Sequence, residues 1–294
     1  MNLQLLVVPY DSGHRGARMG AGPDRLIEAG VENALIGDGH QVSTTHIELP
    51  QGSWTSEIGT AFELMRGVAA AIAASDGGLP IILAGNCITS IGALATYPAG
   101  RTGVVWFDAH GDFNTPDTTT SGFLDGTALS TITGGAWRQL ALTVPRFKPI
   151  AEENVCVVGA RDLDPVEKRL LLSSGVTTVG AGEIASSLQR AIEAIAKRVE
   201  RVHVHIDLDV LDAGVARANT YAVSGGLTIE DLESSLSTIG RALPIAGITL
   251  SAYDPAADSD GRAGRAAIRV LRAAARAAQR TESAPVLARS LDRT

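Results

Sequence analysis

Along the chain, short β-branched and aliphatic runs alternate with longer Ala- and Leu-rich stretches whose apolar positions recur at helical spacing. Period and length predict strands over 3–8, 41–46, 80–83, 103–107, 154–158, 176–179, 202–206 and 246–250. They predict helices over 23–29, 56–74, 88–97, 165–174, 183–199, 228–243 and 264–278. Runs that are apolar nearly throughout, such as Val104-Val105-Trp106-Phe107, suit a parallel sheet covered on both faces. The β-then-α order predicts a doubly wound α/β fold. No internal repeat or low-complexity linker divides the chain. One domain over 1–280 is therefore expected, with 281–294 as a surface or disordered tail.

Composition changes this picture little. At 294 residues, with 45% apolar and 19% charged, one well-buried core is affordable. The net charge of -7 argues against a nucleic-acid partner. No apolar run approaches the roughly 20 residues of a membrane span, and the first residues lack the basic start and long apolar region of a signal peptide. Cys87 and Cys156 are too few for a disulfide framework. A cytoplasmic protein with no membrane partner is expected.

The chemistry is sought beyond the carboxyl ends of the strands, where open parallel sheets bind their ligands. Three predicted strands run straight into polar clusters. They are Asp108-Ala109-His110-Gly111-Asp112, Asp207-Leu208-Asp209-Val210-Leu211-Asp212, and Ala84-Gly85-Asn86-Cys87. Spacing by two puts Asp108, His110 and Asp112 on one face of an extended chain, and likewise Asp207 and Asp209. One such Asp pair would read as a helix cap or a surface turn. Several carboxylates converging from neighbouring strand ends would repel strongly unless cations relieved them. Mixed oxygen and imidazole donors suit manganese or a similar ion, and two such ions can activate water at neutral pH.

D-A-H-G-D-F-N-T-P from Asp108 to Pro116 and H-I-D-L-D-V-L-D from His205 to Asp212 resemble two signatures of the arginase (ureohydrolase) family. The glycine-rich stretch 16–23, Ser224-Gly225-Gly226-Leu227-Thr228 and Tyr253-Asp254-Pro255 resemble further family segments in the same order. The resemblance implies a three-layer α/β/α fold with a mainly parallel sheet of about eight strands. It also implies two Mn2+ ions and hydrolysis of a guanidino-type carbon. Carried over, Asp108 and Asp207 bridge the ions, Asp112 and Cys87 complete one shell, and His110 and Asp209 complete the other. In the loop 114–122, Asn114, Thr119 and Ser121 would hold an amino acid's α-carboxylate, and Asp164 its α-ammonium. Those donor and acceptor types suit such charges. An amino acid is thus the expected small-molecule partner. The segment 271–294 has no pattern assignable to an interface, which favours a monomer over the trimers and hexamers common in the family.

Three positions depart from the arginase pattern. Cys87 replaces a ligand histidine, and a thiolate is a softer, negatively charged ligand. The plain reading, an inert core cysteine, suits Cys156 better than Cys87. Asp125 stands in place of a proton-shuttling histidine, whose loss typically costs about 10²–10⁴ in rate. His205, two residues before Asp207, is a candidate substitute, with packing behind the site as its plainer role. Ala252 replaces a glutamate that pairs with guanidinium. An N-hydroxyguanidine is less basic than guanidine and needs no such partner. The reading is therefore hydrolysis of Nω-hydroxy-L-arginine to hydroxyurea and L-ornithine, with Asp112, Asp125 and His205 as candidate catalytic residues. The pattern resembles the Nω-hydroxy-L-arginine hydrolases of D-cycloserine biosynthesis. The alternatives are an ordinary arginase, a hydrolase of another amidino or formimino amino acid, and a non-catalytic binding relative.

Overall fold

The computed structural model describes residues 1–49, 52, 56–98 and 100–282, the side chains of 281 and 282 excepted. Eight strands form the central sheet: β1 (Asn2–Val8), β2 (Gln41–His46), β3 (Leu79–Ala84), β4 (Thr102–Phe107), β5 (Val155–Val158), β6 (Thr177–Val179), β7 (Arg201–Asp207) and β8 (Ile245–Ser251). Their order in space is β2-β1-β3-β8-β7-β4-β5-β6, and every neighbouring pair is parallel. All eight coincide with strands expected from the residue pattern.

Alternation along each strand builds a three-layer α/β/α fold. Val105 and Phe107 point to one face and Val104 and Trp106 to the other, all fully buried. The first face packs under helices Val31–Gly37, Gln189–Ala196, Ile229–Ala242 and Arg262–Glu282, through residues such as Leu35, Ile192, Leu236 and Val270. The second packs under Glu57–Ala73, Ser90–Leu94 and Ala128–Thr133, through Phe62, Ile91 and Leu129. Burial of each large side chain stabilises by about 1.5–3 kcal/mol, so both faces of the sheet contribute to the core that holds the strand ends.

The helices were less legible than the strands. Val31–Gly37 follows the first helix after a break at Gly30, whose φ of 88° only glycine adopts without strain. The helix expected over 183–199 begins instead as a wide turn, Ile184–Leu188, before Gln189–Ala196. Ala128–Thr133 and Arg138–Ala141 had no clear periodicity. The last helix runs to Glu282, two residues into the expected tail, and 283–294 lie outside the described residues.

Candidate metal centre and substrate cavity

The four central strands β3, β8, β7 and β4 end side by side, and their ends carry the polar clusters. After β3 the chain turns at Gly85, where a Cβ would come within 2.2 Å of the Tyr10 carbonyl oxygen. Only glycine fits that approach. Asn86 and Cys87 follow, both buried. The Cys87 sulfur lies 3.2 Å from Asp207 Oδ2 and 3.2 Å from Ser251 Oγ. Asp207 ends β7, and its Oδ1 accepts the Asp209 N–H at 2.8 Å. Past β4, Asp108 accepts the Trp106 indole N–H at 3.1 Å and the His110 backbone N–H at 2.7 Å. His110 Nδ1 lies 3.3 Å from Asp108 and 3.5 Å from Asp209. Asp112 has a φ of 49°, a conformation that costs a non-glycine residue energy and gathers at functional sites.

The electrostatics are those of a cation site. Burial first, then the neighbouring acids, push the carboxyls of Asp112 and Asp207 far above the ordinary range. Burial also raises Asp108, against a hydrogen bond from His110. His110 goes up to about 9: burial alone would lower it, but Asp108 and Asp209 together prevail. Asp112 Oδ2 is buried without any hydrogen-bond partner, an orphan that a cation would satisfy. Candidate ligand atoms of Asp108, His110 and Asp209 lie within 4.8 Å of one another, as do those of Cys87, Asp108 and His205. The donor set of carboxylates, imidazole and sulfur therefore fits divalent metal ions.

A cavity of about 310 Å3 opens over these groups. Its buried inner wall includes Cys87, Asp112, Asp125, Asp207, Asp209 and Ala252, and its exposed rim includes Thr120, Ser121, Asp162 and Tyr221. Asn114 and Asp164 also line it, and Asn114 Nδ2 lies 3.4 Å from Asp164 Oδ2. Asp125 accepts from Asn86 Nδ2 at 2.6 Å and from the Ile88 N–H at 3.2 Å. Burial raises its carboxyl to about 7, against those hydrogen bonds.

Two expected residues stand elsewhere. His205 does not line the cavity. It is fully buried beneath it, stacked on Trp106 at 3.5 Å, and burial depresses its pKa well below the usual value. Its ring still lies directly behind the site, with a nitrogen within 4.8 Å of the candidate ligand atoms of Cys87 and Asp108. Buried off the cavity wall, His205 is placed for the plainer role, packing and hydrogen bonding behind the site. Thr119 is likewise not a wall residue; Thr120 is. Thr119 Oγ1 instead accepts the Gly122 N–H at 3.1 Å, closing its own turn.

Other wall residues carried no signal in the sequence. Asn219 donates to Asp209 at 3.3 Å and to the Ala252 carbonyl at 2.9 Å. Glu167 accepts from the Phe113 and Asp164 N–H groups at 2.9 and 3.3 Å. Only the last of these pairs, three apart at a helix start, has a recognisable spacing. Asp212, the third acid of its motif, is not a wall residue. It receives the N–H groups of Gly214, Gly225 and Gly226 and anchors the Ser224–Thr228 loop.

The sequence profile of the arginase family matches residues 1–276. The chain belongs to the arginase family. Members are hydrolases acting on amidino C–N bonds and are generally binuclear manganese enzymes, which agrees with the carboxylate centre. An arginase of Bacillus caldovelox is 27% identical over 290 residues, covering 92% of this chain and 96% of that protein. The crystal structure of Bacillus cereus arginase superposes with a TM-score of 0.83 at 24% identity, covering 93% of this chain and 98% of that one. Entamoeba histolytica arginase in complex with L-ornithine superposes at 0.79 with 23% identity, covering 93% and 97%. These structures share the arginase fold, including its parallel sheet. Among the described residues, no helix is long and apolar enough to cross a membrane.

Proposed function

We propose that this arginase-family hydrolase uses two Mn2+ ions to cleave Nω-hydroxy-L-arginine into L-ornithine and hydroxyurea. The observation that carries this reading is the inner wall of the cavity. Ala252 lines it, Asp125 is committed to Asn86 and Ile88, and Glu167 to Phe113 and Asp164. With Asp112, Asp207 and Asp209 given to the ions, the remaining inner-wall acids among the described residues, Asp125 and Glu167, already hold partners, and Ala252 offers a guanidinium none. A guanidinium is always charged at neutral pH, and burying it unpaired is costly. A neutral hydroxyguanidine avoids that cost. The departures at Cys87 and Asp125 resemble hydroxyarginine hydrolases in the same sense.

In this reading Asp108, Asp112, Asp207, Asp209, His110 and Cys87 would hold the ions. The ion pair supplies activated water at neutral pH. At the rim, Asp164 takes the α-ammonium, while Asn114, Ser121 and Thr120 offer hydrogen bonds to the α-carboxylate. L-ornithine, held by the Entamoeba relative, carries the same amino-acid end. Asn219 steadies Asp209. Of the two candidates for proton transfer, Asp125 faces the cavity and His205 does not. The accompanying expectation is a cytoplasmic monomer, which size-exclusion chromatography with light scattering would check for assembly.

The test compares hydroxyurea release from Nω-hydroxy-L-arginine with urea release from L-arginine under Mn2+. A kcat/KM about 100-fold higher for the hydroxylated substrate, roughly 2.7 kcal/mol, is expected. Equal or better turnover of arginine would leave ordinary arginase as the activity, the reading that the names of the sequence relatives favour. Cys87→His should narrow the preference by about tenfold, or 1.4 kcal/mol, and Asp125→His added to it should narrow it further.

A further inference from the structure

Behind the metal centre a row of buried polar groups off the cavity wall, Ser90, His205 and Ser251, leads to Cys87. Ser90, His205 and Ser251 are fully buried and Cys87 is 2% exposed. Ser90 Oγ lies 3.0 Å from His205 Nδ1, and His205 Nε2 lies 3.4 Å from Ser251 Oγ. Ser251 Oγ is in turn 3.2 Å from the Cys87 sulfur. The imidazole cannot swing out of this row. It stacks on Trp106 with 16° between the ring planes, the two residues facing each other across β4 and β7. The same indole donates to Asp108. One stacked ring pair thus reaches both sides of the centre, Trp106 to a carboxylate and His205, through Ser251, to the sulfur.

We infer that Ser251, held by His205 and Ser90, is a positioning residue that orients the Cys87 sulfur and donates a hydrogen bond to it as a ligand. The inference rests on the proposed reading of Cys87 as a ligand. Donor and acceptor counting fixes the direction of the chain. A ligating sulfur carries no proton, so Ser251 O–H must donate to it. The Ser251 oxygen then accepts from His205 Nε2–H, and His205 Nδ1 accepts from Ser90 O–H. Every buried group in the row is satisfied by this one arrangement. A hydrogen bond to an ionised group is the stronger kind, and it draws charge from a sulfur crowded by Asp108, Asp112 and Asp207. An imidazole ligand would gain nothing from such a donor, so the row suits cysteine at this position.

The test is spectroscopic. Cobalt(II) replaces manganese, and a thiolate ligand then gives a sulfur-to-cobalt charge-transfer band in the near ultraviolet. The wild-type protein should show that band, and Cys87→Ser should lose it. Ser251→Ala removes the donor, so the band should move to longer wavelength and cobalt affinity should fall by about 10–100-fold. Ser251→Thr, which keeps a hydroxyl, should restore both. His205→Phe keeps a ring over Trp106 but offers no donor, and should shift the band the same way by less. His205→Gln, with an amide donor, should stay near wild type. No band in wild-type protein carrying cobalt would overturn Cys87 as a ligand and the inference with it. A band present but unmoved in both Ser251→Ala and His205→Phe would overturn the inference alone.

Discussion

The two ends of the cavity are built on different principles. The inner end is assembled from strand ends, buried and crowded with like charges, and each donor is fixed by a neighbour: Asp207 by the Asp209 N–H, Asp209 by Asn219, Asp108 by Trp106. The outer end is a loop of hydroxyls and amides in partial contact with water, tied down by single hydrogen bonds such as Thr120 to Asp164 at 3.3 Å. All three departures from the arginase pattern, Cys87, Asp125 and Ala252, fall at the inner end. The outer end keeps Asn114, Ser121 and Asp164, the residues proposed to hold an amino acid's charged groups. Under the proposed reading, that difference corresponds to altered chemistry at the inner end and a retained amino-acid end at the outer one.

The sharpest way to break that division is to disable one end and ask whether the other survives. Asp207→Asn removes a carboxylate proposed to serve both ions. It should cost one ion per chain and lower activity by more than the roughly 100-fold that an outer-shell partner costs at most. L-ornithine, which needs only the outer end, should still bind nearly as before. Metal analysis and calorimetric titration read the two ends separately, and parallel loss of both would merge them into one unit. Asp164→Asn is the mirror experiment. Losing a hydrogen bond to a charged group costs about 1.5–3 kcal/mol, so KM should rise roughly 10–100-fold while metal content and kcat hold. A fall in metal content would show that the outer end supports the inner one.

Without ions, the inner end should also reveal itself through pH. Between pH 6.5 and 9 the folded protein holds a proton on His110, at about 9, that the unfolded chain releases near 6.5. Asp125, at about 7, retains part of its proton into the same window, whereas its unfolded value is near 4. The folded state thus binds more protons, and stability must fall as pH rises. His40, whose pKa burial lowers, works in the opposite sense, but only below 6.5. The melting temperature of EDTA-treated protein should therefore fall by a few degrees from pH 6.5 to 9. Manganese-loaded protein should hold or rise, because ligands bind metal only when deprotonated. A flat EDTA profile would mean that the inner carboxylates and His110 are not coupled as their geometry implies.

Legibility in the sequence followed the same division. The eight strands and the polar clusters at their ends could be read because period, apolar runs and strand-end position are local properties. The structure brings Asp108, His110, Asp112, Asp207 and Asp209 to one place, as their strand-end spacing suggested, and Cys87 joins them as the family resemblance implied. What was not legible depends on distant partners. Asn219 is an unmarked loop residue until it is seen bridging Asp209 and Ala252, and Glu167 until it caps the turn at Phe113. The near-neutral carboxyl of Asp125 is a consequence of burial that no motif encodes. His205 shows the limit of strand periodicity: it shares a face with Asp207, yet lies one step too deep to meet a substrate.

The smallest effect tests the least regular part of the molecule. Family resemblance selects Thr119 as a carboxylate contact; in the folded loop Thr120 lines the cavity, while Thr119 Oγ1 accepts the Gly122 N–H and keeps its own O–H to donate. A one-residue shift in an exposed loop is invisible to spacing, because nothing buried fixes its register. Thr120→Val deletes the hydroxyl 3.3 Å from Asp164 and should raise KM about 2–10-fold, the worth of one neutral hydrogen bond. Thr119→Val should change KM less, since its bond serves a local turn. Steady-state kinetics on both variants decides between them. If Thr119 proves the more costly loss, the loop turns over when an amino acid binds, and the outer end owes its shape to the substrate rather than to the fold.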